Sequence, residues 1–369
     1  MRGEDLYWYW LNNIEGIGRK NIHILLEKFE TPKGIYEAEE KDIFSLLKSQ
    51  KQKDAFLFSK NKDRIKEGYQ KLLDNQILFI HPELEEYPKR LRVIPDAPYG
   101  LYIKGKLPKE DCKAVAIIGA RNCTQYGKEM ARYFGRELSK CRVSIISGLA
   151  RGIDGMAHVG ALEAGGYTLG VIGGGIDQIY PRENYQLFLK MQQSGGILSE
   201  SNIGIVPAPG LFPQRNRLIA GLCDGILVVE AMEKSGTFIT VDQGLEQGKE
   251  IFALPGRVMD LKSVGCNKLI KMGAHMVTEV EDILEILHLE NKLVPKLNDL
   301  NRSEVFAEKM SLAPLEKMVY SCLRIEPKYL DDIIGELKIA PQEVCMALNR
   351  LVICGAVVET TRNYYAIKL

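Results

Sequence analysis

The chain has 369 residues and a mass of 41.5 kDa, which is enough for two or three domains. Hydrophobic residues make up 46% and charged residues 26%, so an intrinsically disordered chain is excluded. The net charge of +1 does not attract a nucleic acid or a membrane in bulk, so any polyanion site must come from local arrangement.

Signals for targeting and for metals are weak. The first eleven residues lack the basic end, apolar stretch and cleavage site of a signal peptide. No apolar run reaches the roughly 18 residues of a membrane span, so we expect a cytoplasmic protein with no membrane partner. The 8 cysteines include no Cys-x-x-Cys pair, which excludes zinc-ribbon spacing. No carboxylate pair or His/Cys cluster indicates a metal, and we expect no metal and no cofactor.

The N-terminal segment reads as helical. Apolar spacing predicts short helices near residues 6–11, 20–29 and 41–47, within a small helical domain of residues 1–80. The turn Gly16-Ile17-Gly18 has two interpretations. It offers backbone N–H groups to a phosphate, as in helix-hairpin-helix modules, or it is a tight turn that needs glycine at positive φ. The second is favoured, because two glycines in a turn are a weak signal.

From Ala114 the pattern changes to strand, turn and helix in repeated units. The predicted strands occupy residues 114–118, 142–146, 168–172, 196–198, 226–229 and 250–254. The predicted helices occupy residues 125–140, 153–164, 182–193, 214–221, 237–247 and 279–287. The strands are apolar without alternation, as strands buried on both faces are. Residues 81–288 are therefore predicted to form an α/β domain, an extended Rossmann-like, doubly wound and mostly parallel sheet that binds ligands beyond its carboxyl ends.

The C-terminal part is predicted to be a separate unit. Residues 289–311 contain Pro295, Asn298, Asp299 and Asn301 and read as a linker. Residues 312–369 then show three helices and two short strands, which is the outline of a winged helix. This unit holds 7 Lys or Arg and 7 Asp or Glu, whereas a DNA-reading winged helix is basic on one face. A protein contact or a regulatory role is therefore favoured over reading of the major groove.

Five loops that follow the predicted strands are rich in Gly, Ser, Thr, Asn and Arg, and they carry our candidate binding residues. These candidates are Gly119, Arg121, Asn122, Thr124, Ser147, Gly148, Arg151, Gly152, Gly173, Gly174, Phe212, Arg215, Asn216, Arg217, Ser235, Gly236 and Thr237. Small residues let a backbone approach a ligand, helix N-termini attract anions, and arginine forks fit phosphate. A phosphate-binding surface explains all five loops together, whereas independent structural turns would not need arginine in three of them.

Within this surface several residues have expected roles. Thr124 is expected to cap the following helix, whose free N–H groups would favour an anion. At least one of Arg215 and Arg217 is expected to face the ligand, the other pairing with Glu230 or Asp154. Tyr180 and Phe212 flank the arginine loops and are candidate stacking platforms, although both could equally belong to the core.

Catalytic motifs do not fit. No Gly-x-Gly-x-x-Gly follows the first strand of this region, and no Walker loop is present. Asp154 and His158 lie four residues apart on a predicted helix, where a cap and a packed histidine are favoured over a ligand or general base. Ser147 lacks the Gly-x-Ser-x-Gly elbow, so a nucleophilic role is disfavoured. We assign no catalytic residue.

Several segments in order resemble the DprA/Smf family of DNA-processing proteins. These are Gly-Ala-Arg-Asn-x-x-x-Tyr-Gly at 119–127, Ser-Gly-Leu-Ala-Arg-Gly-Ile-Asp-x-x-Ala-His at 147–158, Gly-Gly-Gly-Ile-Asp-x-Ile-Tyr-Pro-x-x-Asn at 173–184, Phe-Pro-x-Arg-Asn-Arg at 212–217, Ser-Gly-Thr-x-x-Thr at 235–240 and Ala-Leu-Pro-Gly at 253–256. The resemblance implies a homodimer that binds single-stranded DNA without sequence specificity and helps load RecA recombinase in natural transformation. It also implies an N-terminal domain that is sterile-alpha-motif-like in some members. Thr124 stands where the family usually has serine.

Two other functions fit parts of the sequence. A related Rossmann-like family of phosphoribohydrolases carries Gly-Gly-x-Gly-Thr-x-x-Glu, but Thr240 stands here in place of the catalytic glutamate. A transcription factor would act through the winged helix, with the Rossmann-like part sensing a ligand. A polyanion surface without an acid/base pair favours the single-stranded DNA-binding protein over both.

Overall fold

The protein is described from a computed structural model, which covers residues 3–289, 312–323 and 327–367. Apart from Leu289, the predicted linker lies outside these residues. In the described part of the chain no helix is long and apolar enough to cross a membrane.

The N-terminal segment forms helices that pack around their own apolar cluster. Their bounds are α1 (Gly3–Asn12), α2 (Arg19–Phe29), α3 (Pro32–Glu37), α4 (Glu40–Leu46), α5 (Gln50–Ser59) and α6 (Lys62–Asp74). Polar caps start three of them: Thr31 accepts from the Gly34 N–H, Ser49 from Gln52, and Asn61 from Arg64. Helix α2 begins after Gly18 without a side-chain cap, and Gly16 has φ +73°. The turn therefore needs glycine for its backbone conformation, as the favoured interpretation requires.

One nine-stranded sheet forms the centre of the described region. Its strands are β1 (Leu78–Ile80), β2 (Leu101–Gly105), β3 (Ala114–Ile118), β4 (Ser144–Ser147), β5 (Thr168–Ile172), β6 (Gly196–Ser199), β7 (Gly225–Val228), β8 (Glu250–Ala253) and β9 (His275–Met276). The strand order is β1-β2-β6-β5-β4-β3-β7-β8-β9. Strands β3 to β9 run parallel to one another, and only the pairs made by β2 are antiparallel. The predicted mostly parallel sheet is confirmed.

Helices cover both faces of this sheet, as in a doubly wound fold. Their bounds are α7 (Lys89–Arg92), α8 (Gln125–Lys140), α9 (Ile153–Glu163), a 3-10 turn (Arg182–Asn184), α10 (Tyr185–Ser194), α11 (Leu211–Leu222), α12 (Thr237–Glu246), α13 (Val264–Lys271) and α14 (Val280–Ile286). Alternate residues of β3 face two cores: Val115 and Ile117 pack with α8 and α9, whereas Ala116 and Ile118 pack with α11. Burial on both faces explains why the strands lack polar alternation.

The connections reverse direction beside β3. The chain steps from β3 through β4 and β5 to β6, then returns to place β7 on the other side of β3. Such a switch point opens a crevice at the carboxyl ends of β3 and β7, and doubly wound proteins bind ligands in this crevice. The loops that carry the candidate residues leave the sheet at this edge.

The N-terminal helices share a core with the sheet. Strand β1 lies within the range predicted for the helical domain, but it pairs with β2 and belongs to the sheet. Tyr69 of α6 packs in one apolar cluster with Tyr102 of β2 and Met191 of α10. The helical unit is therefore fixed to the sheet edge that carries β1, β2 and β6.

The C-terminal unit has its own core. Its elements are α15 (Pro314–Cys322), β10 (Lys328–Tyr329), α16 (Leu330–Leu337), α17 (Pro341–Ile353), β11 (Val357–Thr361) and β12 (Tyr364–Ile367). The strands form an antiparallel sheet in the order β10-β12-β11. Three helices and a terminal hairpin agree with the predicted elements, and their assignment as a winged helix stays a prediction.

Candidate nucleic-acid interface

Two adjoining cavities open at the carboxyl edge of the sheet, and together we call them the strand-end groove. One has a volume of about 280 Å³ and lies over the ends of β4 and β5. The other has a volume of about 580 Å³ and lies over the ends of β3 and β7, at the switch point. They are continuous because both are lined by Arg121, Ala150, Tyr180, Pro207, Phe212 and Arg215.

Arg121 lies at the junction of the two cavities. It is exposed at the end of β3, and its guanidinium carbon lies 5.0 Å from the centre of the Phe212 ring. Within the described residues it forms no ion pair. Its donors are therefore available to an anion, while the aromatic ring below holds the guanidinium in place.

A second aromatic ring extends this stack. Tyr180 is 49% exposed, and its ring centre lies 5.9 Å from that of Phe212, which is half-buried. An exposed ring beside a stacked arginine is a surface on which an unpaired base can stack. The structure thus brings together the two aromatic residues that the sequence offered as platforms.

Arg151 and Asn122 lie at the same rim. The Arg151 side chain is 59% exposed and pairs at 2.5 Å with the exposed Glu183. Asn122 is exposed beside Arg121 and lines the smaller cavity. Two arginines and one amide thus offer donors to this cavity from the loops after β3 and β4.

Arg215 lies at the floor of the groove rather than at its rim. It is only 6% exposed, and its guanidinium donates to the carbonyl oxygens of Gly148, at 2.7 Å, and Val171. The buried Asp154 lies beside it and accepts from the Gly148 N–H at 3.1 Å. Burial lowers the pKa of Arg215 to about 10 and raises that of Asp154, while each charge opposes the other's shift. Arg215 therefore binds the ends of β4 and β5 together.

Arg217 lines neither cavity. It is 5% exposed and donates to both carboxylate oxygens of Glu200 at 2.7 Å. The expectation that the second arginine pairs with Glu230 or Asp154 is wrong for Arg217, because α11 begins at Leu211 and points this side chain toward the end of β6. Neither arginine is exposed, although Arg215 contributes positive charge to the groove from below. Asn216, half-buried between them, lines the larger cavity.

The N-terminus of α8 already holds an anion from the chain itself. Thr124 caps this helix as predicted, because its Oγ1 accepts from the Gly127 N–H at 2.9 Å. The buried Glu230 carboxylate accepts from the Thr124 N–H at 2.9 Å and from the Thr124 hydroxyl. The expected open anion site at this helix start is therefore wrong in that a carboxylate of the chain itself, that of Glu230, already lies there and interacts favourably with the helix dipole.

Several small residues serve packing between loops. A Cβ on Gly119 would lie 2.8 Å from the Glu230 carbonyl oxygen, and one on Gly152, at φ +75°, would lie 2.5 Å from the Arg121 carbonyl oxygen. The buried Ser147 hydroxyl donates to Ile117 at 2.6 Å. These close approaches hold the Arg121 loop against its neighbours. Of the three residues, Gly119 also lines the larger cavity of the groove, whereas Gly152 and Ser147 line neither cavity.

Other small residues line the groove itself. Gly173 and Gly174 line the smaller cavity, where they leave room beside Phe212 and Pro207. Ser235, Gly236 and Thr237 start α12 at the wall of the larger cavity. The Ser235 hydroxyl accepts from the Thr237 N–H at 3.2 Å and donates to its Oγ1 at 2.9 Å.

The groove is poor in acid/base chemistry. Asp154 is the one carboxylate among the described residues that line it. His158 is fully buried, and its Nδ1 lies 2.6 Å from the Thr168 hydroxyl. Burial lowers the His158 pKa to about 3, so the ring is neutral and packed, as the sequence favoured. Within the described residues, no group of three or more His, Cys, Asp or Glu could hold a metal ion.

Sequence reasoning missed several residues of the site. Pro207 and Gln178 line the smaller cavity, and Glu200 positions Arg217. Glu200 lies two residues after the predicted strand 196–198, and this carboxyl-end position was the available signal. Pro207 and Gln178 carry no such signal, because they lie in long loops.

Comparisons with known proteins agree with this geometry. The sequence model of the family described as DNA recombination-mediator protein A matches residues 78–288, which include every strand of the large sheet. A protein called Smf from Synechocystis is 30% identical, and the match covers 96% of both chains. DNA processing protein DprA from Bacillus subtilis is 43% identical over 208 residues, which are 56% of this chain and 70% of the relative.

Two solved structures are also similar. DNA processing protein A from Streptococcus pneumoniae is 32% identical with a TM-score of 0.67, and the match covers 78% of this chain and 98% of that one. DNA processing protein A from Helicobacter pylori, described for its unique single-stranded DNA binding mode, is 32% identical with a TM-score of 0.51. This match covers 58% of this chain and 96% of that one. With its doubly wound sheet and a family match over more than half its length, this chain belongs to the DNA recombination-mediator protein A family.

Proposed function

We propose that the strand-end groove binds single-stranded DNA without sequence specificity. The observation that carries the proposal is the exposed, unpaired Arg121 guanidinium stacked on Phe212 next to the exposed Tyr180 ring. Phosphate contacts carry no base information, and every base has a face that can stack on an aromatic ring. The Helicobacter pylori relative, described for its single-stranded DNA binding mode, supports the same ligand class here.

The size and charge of the groove fit a strand better than a small cofactor. The two continuous cavities run across the ends of neighbouring strands, and Arg121 and Arg151 lie along their rim. Arg215 adds positive charge from the floor, at the place where the two cavities meet. A groove that tracks a backbone with cations and stacks bases on rings is the common design of single-strand binding proteins.

The proposed role is that of a recombination mediator rather than an enzyme. We place Asp154 with Arg215 as a structural pair, which leaves the groove without the acid and base that a phosphoribohydrolase needs. Membership in a family of recombination mediators supports delivery of the bound strand to a recombinase of the RecA type. Such delivery would take place in the cytoplasm.

A homodimer is part of the same proposal. Apolar side chains lie exposed around β9, the end strand of the sheet: Met272 is 68% exposed, Met276 55%, and Val258 and Met259 on a nearby loop 83% and 91%. Unpaired strand edges with apolar surroundings favour association with another chain. Met259→Asp with Met276→Asp should shift the sedimentation coefficient of the protein from dimer to monomer.

Replacement of Arg121 by alanine tests the ligand proposal. We expect Arg121→Ala to weaken binding of oligo-dT by about 1–3 kcal/mol in fluorescence anisotropy, the scale of a charge-assisted hydrogen bond. Arg142→Ala is the matched control, because Arg142 is exposed in the turn before β4, at the opposite edge of the sheet. Wild-type affinities for oligo-dT, oligo-dA and oligo-dC should agree within the range of stacking energies. Equal binding by wild type and Arg121→Ala would refute the site.

A further inference from the structure

A second cationic surface lies outside the strand-end groove, on helices α5 and α6 and the residues next to them. Residues 48–74 hold 8 Lys or Arg against 4 Asp or Glu, a local charge of +4 in a chain whose total charge is +1. We call this the hairpin surface, and its cations are Lys48, Lys51, Lys53, Lys60, Lys62, Arg64, Lys66 and Lys71. None of them forms an ion pair within the described residues. Concentrated, unpaired positive charge is the electrostatic signature of a polyanion partner.

The hairpin surface also repeats the aromatic arrangement of the groove. Phe58 at the end of α5 is 70% exposed, more than Tyr180 at 49%. The Arg64 guanidinium carbon lies 4.6 Å from the Phe58 ring centre, as that of Arg121 lies 5.0 Å from the Phe212 ring. An exposed ring with a planar cation beside it offers a face on which an unpaired base can stack, and both the ring and the guanidinium contact a base well.

The hairpin surface is fixed to the same body as the groove. The Trp10 indole N–H donates to the Ser59 hydroxyl at 2.8 Å, which ties the end of α5 to α1. On α1, the Tyr9 hydroxyl lies 3.2 Å from the Asn202 amide nitrogen, in the loop after β6. This loop continues toward Pro207 at the groove wall. Single-stranded DNA that leaves the groove on the side of β5 and β6 would therefore run toward the N-terminal helices.

From this we infer that the hairpin surface is a second contact site for the same single-stranded DNA, with phosphates on its lysines and one unpaired base on Phe58. The inference rests on the proposed function of the groove and extends it to the N-terminal unit. It makes the length of bound DNA greater than the groove alone can hold. Short oligonucleotides fill the groove, whereas long ones reach both surfaces.

An oligonucleotide length series tests this inference. We would measure anisotropy with oligo-dT of about 6 nucleotides, near the lower end of the usual site size of a single-strand binding module, and of about 30 nucleotides, well above that size. The double variant Phe58→Ala with Arg64→Ala should weaken binding of the long oligonucleotide about fivefold or more and leave the short one unchanged. The salt slope for the long oligonucleotide should fall by about 0.7 for each phosphate that the variant no longer binds. The single variant Phe58→Trp, which keeps an aromatic ring and Arg64, should bind the long oligonucleotide with wild-type affinity.

Controls separate this inference from its competitors. Lys33→Ala removes an exposed lysine of the same unit that already pairs with Glu37, and it should have no effect. Unchanged long-oligonucleotide affinity in the double variant would overturn the inference. The inference would also be overturned if the double variant lost as much affinity for duplex DNA of the same length, or for vesicles of phosphatidylglycerol, as it loses for the long oligonucleotide. If the wild-type protein bound neither oligonucleotide, the proposed function itself would fail, which is a distinct result.

Discussion

Arg215 and Asp154 should form a structural pair whose loss is costly to the free energy of unfolding. Arg215→Ala removes the guanidinium from a buried site and leaves the Asp154 carboxylate, 7% exposed, without its neighbouring positive charge. It also frees the carbonyl oxygens of Gly148 and Val171, which both accept from Arg215. A buried carboxylate that loses a nearby positive charge, together with two buried carbonyl oxygens that lose their donor, should cost about 3 kcal/mol.

Urea unfolding followed by circular dichroism measures this loss, with Arg121→Ala as the exposed control that should stay within about 0.5 kcal/mol of wild type. In a double-mutant cycle, Arg215→Ala with Asp154→Asn should lose less than the sum of the single variants by at least about 1 kcal/mol. Arg215→Ala with a loss below about 1 kcal/mol, or strictly additive variants, would refute the assignment. Arg215 would then be free to act as a ligand contact, as its sequence position suggests.

Three further outcomes are expected. The His158 pKa is lowered to about 3 by burial, below its ordinary value of 6.5, so the unfolded chain takes up a proton that the folded chain does not. Stability should therefore fall as the pH drops from about 6.5 toward about 3, and His158→Leu should flatten this slope in urea midpoints measured across that range. Gly152→Ala places a Cβ against the carbonyl oxygens of Ala120 and Arg121 at φ +75°, and it should cost at least about 1 kcal/mol in unfolding and also weaken DNA binding by shifting the Arg121 loop. Truncation after Leu289 should leave oligo-dT affinity near wild type, because the removed C-terminal domain has balanced charge, and a large loss in a filter-binding assay would show that it contacts DNA.

The sequence was sufficient to predict the central sheet because each of its buried strands is a short apolar run followed by a small-residue turn. Strands β1, β2 and β9 were missed, since they are edge or near-edge strands of two to five residues without that signal. Helix α13 was missed as well, because it follows a loop without a clear cap.

The site could be predicted as a region but not side chain by side chain. Arg121, Arg151 and Tyr180 are exposed at the groove. A position soon after a strand was enough to suggest the two arginines, and Tyr180 was suggested by its place beside the arginine loops. Arg215 and Arg217 lie two residues apart on α11, so they point in directions that differ by about 200°. The direction of each side chain depends on the residue at which α11 begins. The pairing of Arg217 with Glu200 also depends on the end of β6 lying beside α11, which the sequence does not show.

The Glu230 carboxylate at the start of α8 has a consequence for competition in the cell. In dinucleotide-binding proteins the pyrophosphate rests on the helix that follows the first strand of the parallel sheet. In this chain the Glu230 carboxylate occupies that position, where it accepts hydrogen bonds from the Thr124 N–H and hydroxyl. A dinucleotide would have to displace the buried Glu230 carboxylate before its pyrophosphate could bind at the start of α8. A fold that holds coenzymes in other proteins is thus closed to a pyrophosphate at this helix, and under the proposed function the carboxyl edge of the sheet stays accessible to single-stranded DNA.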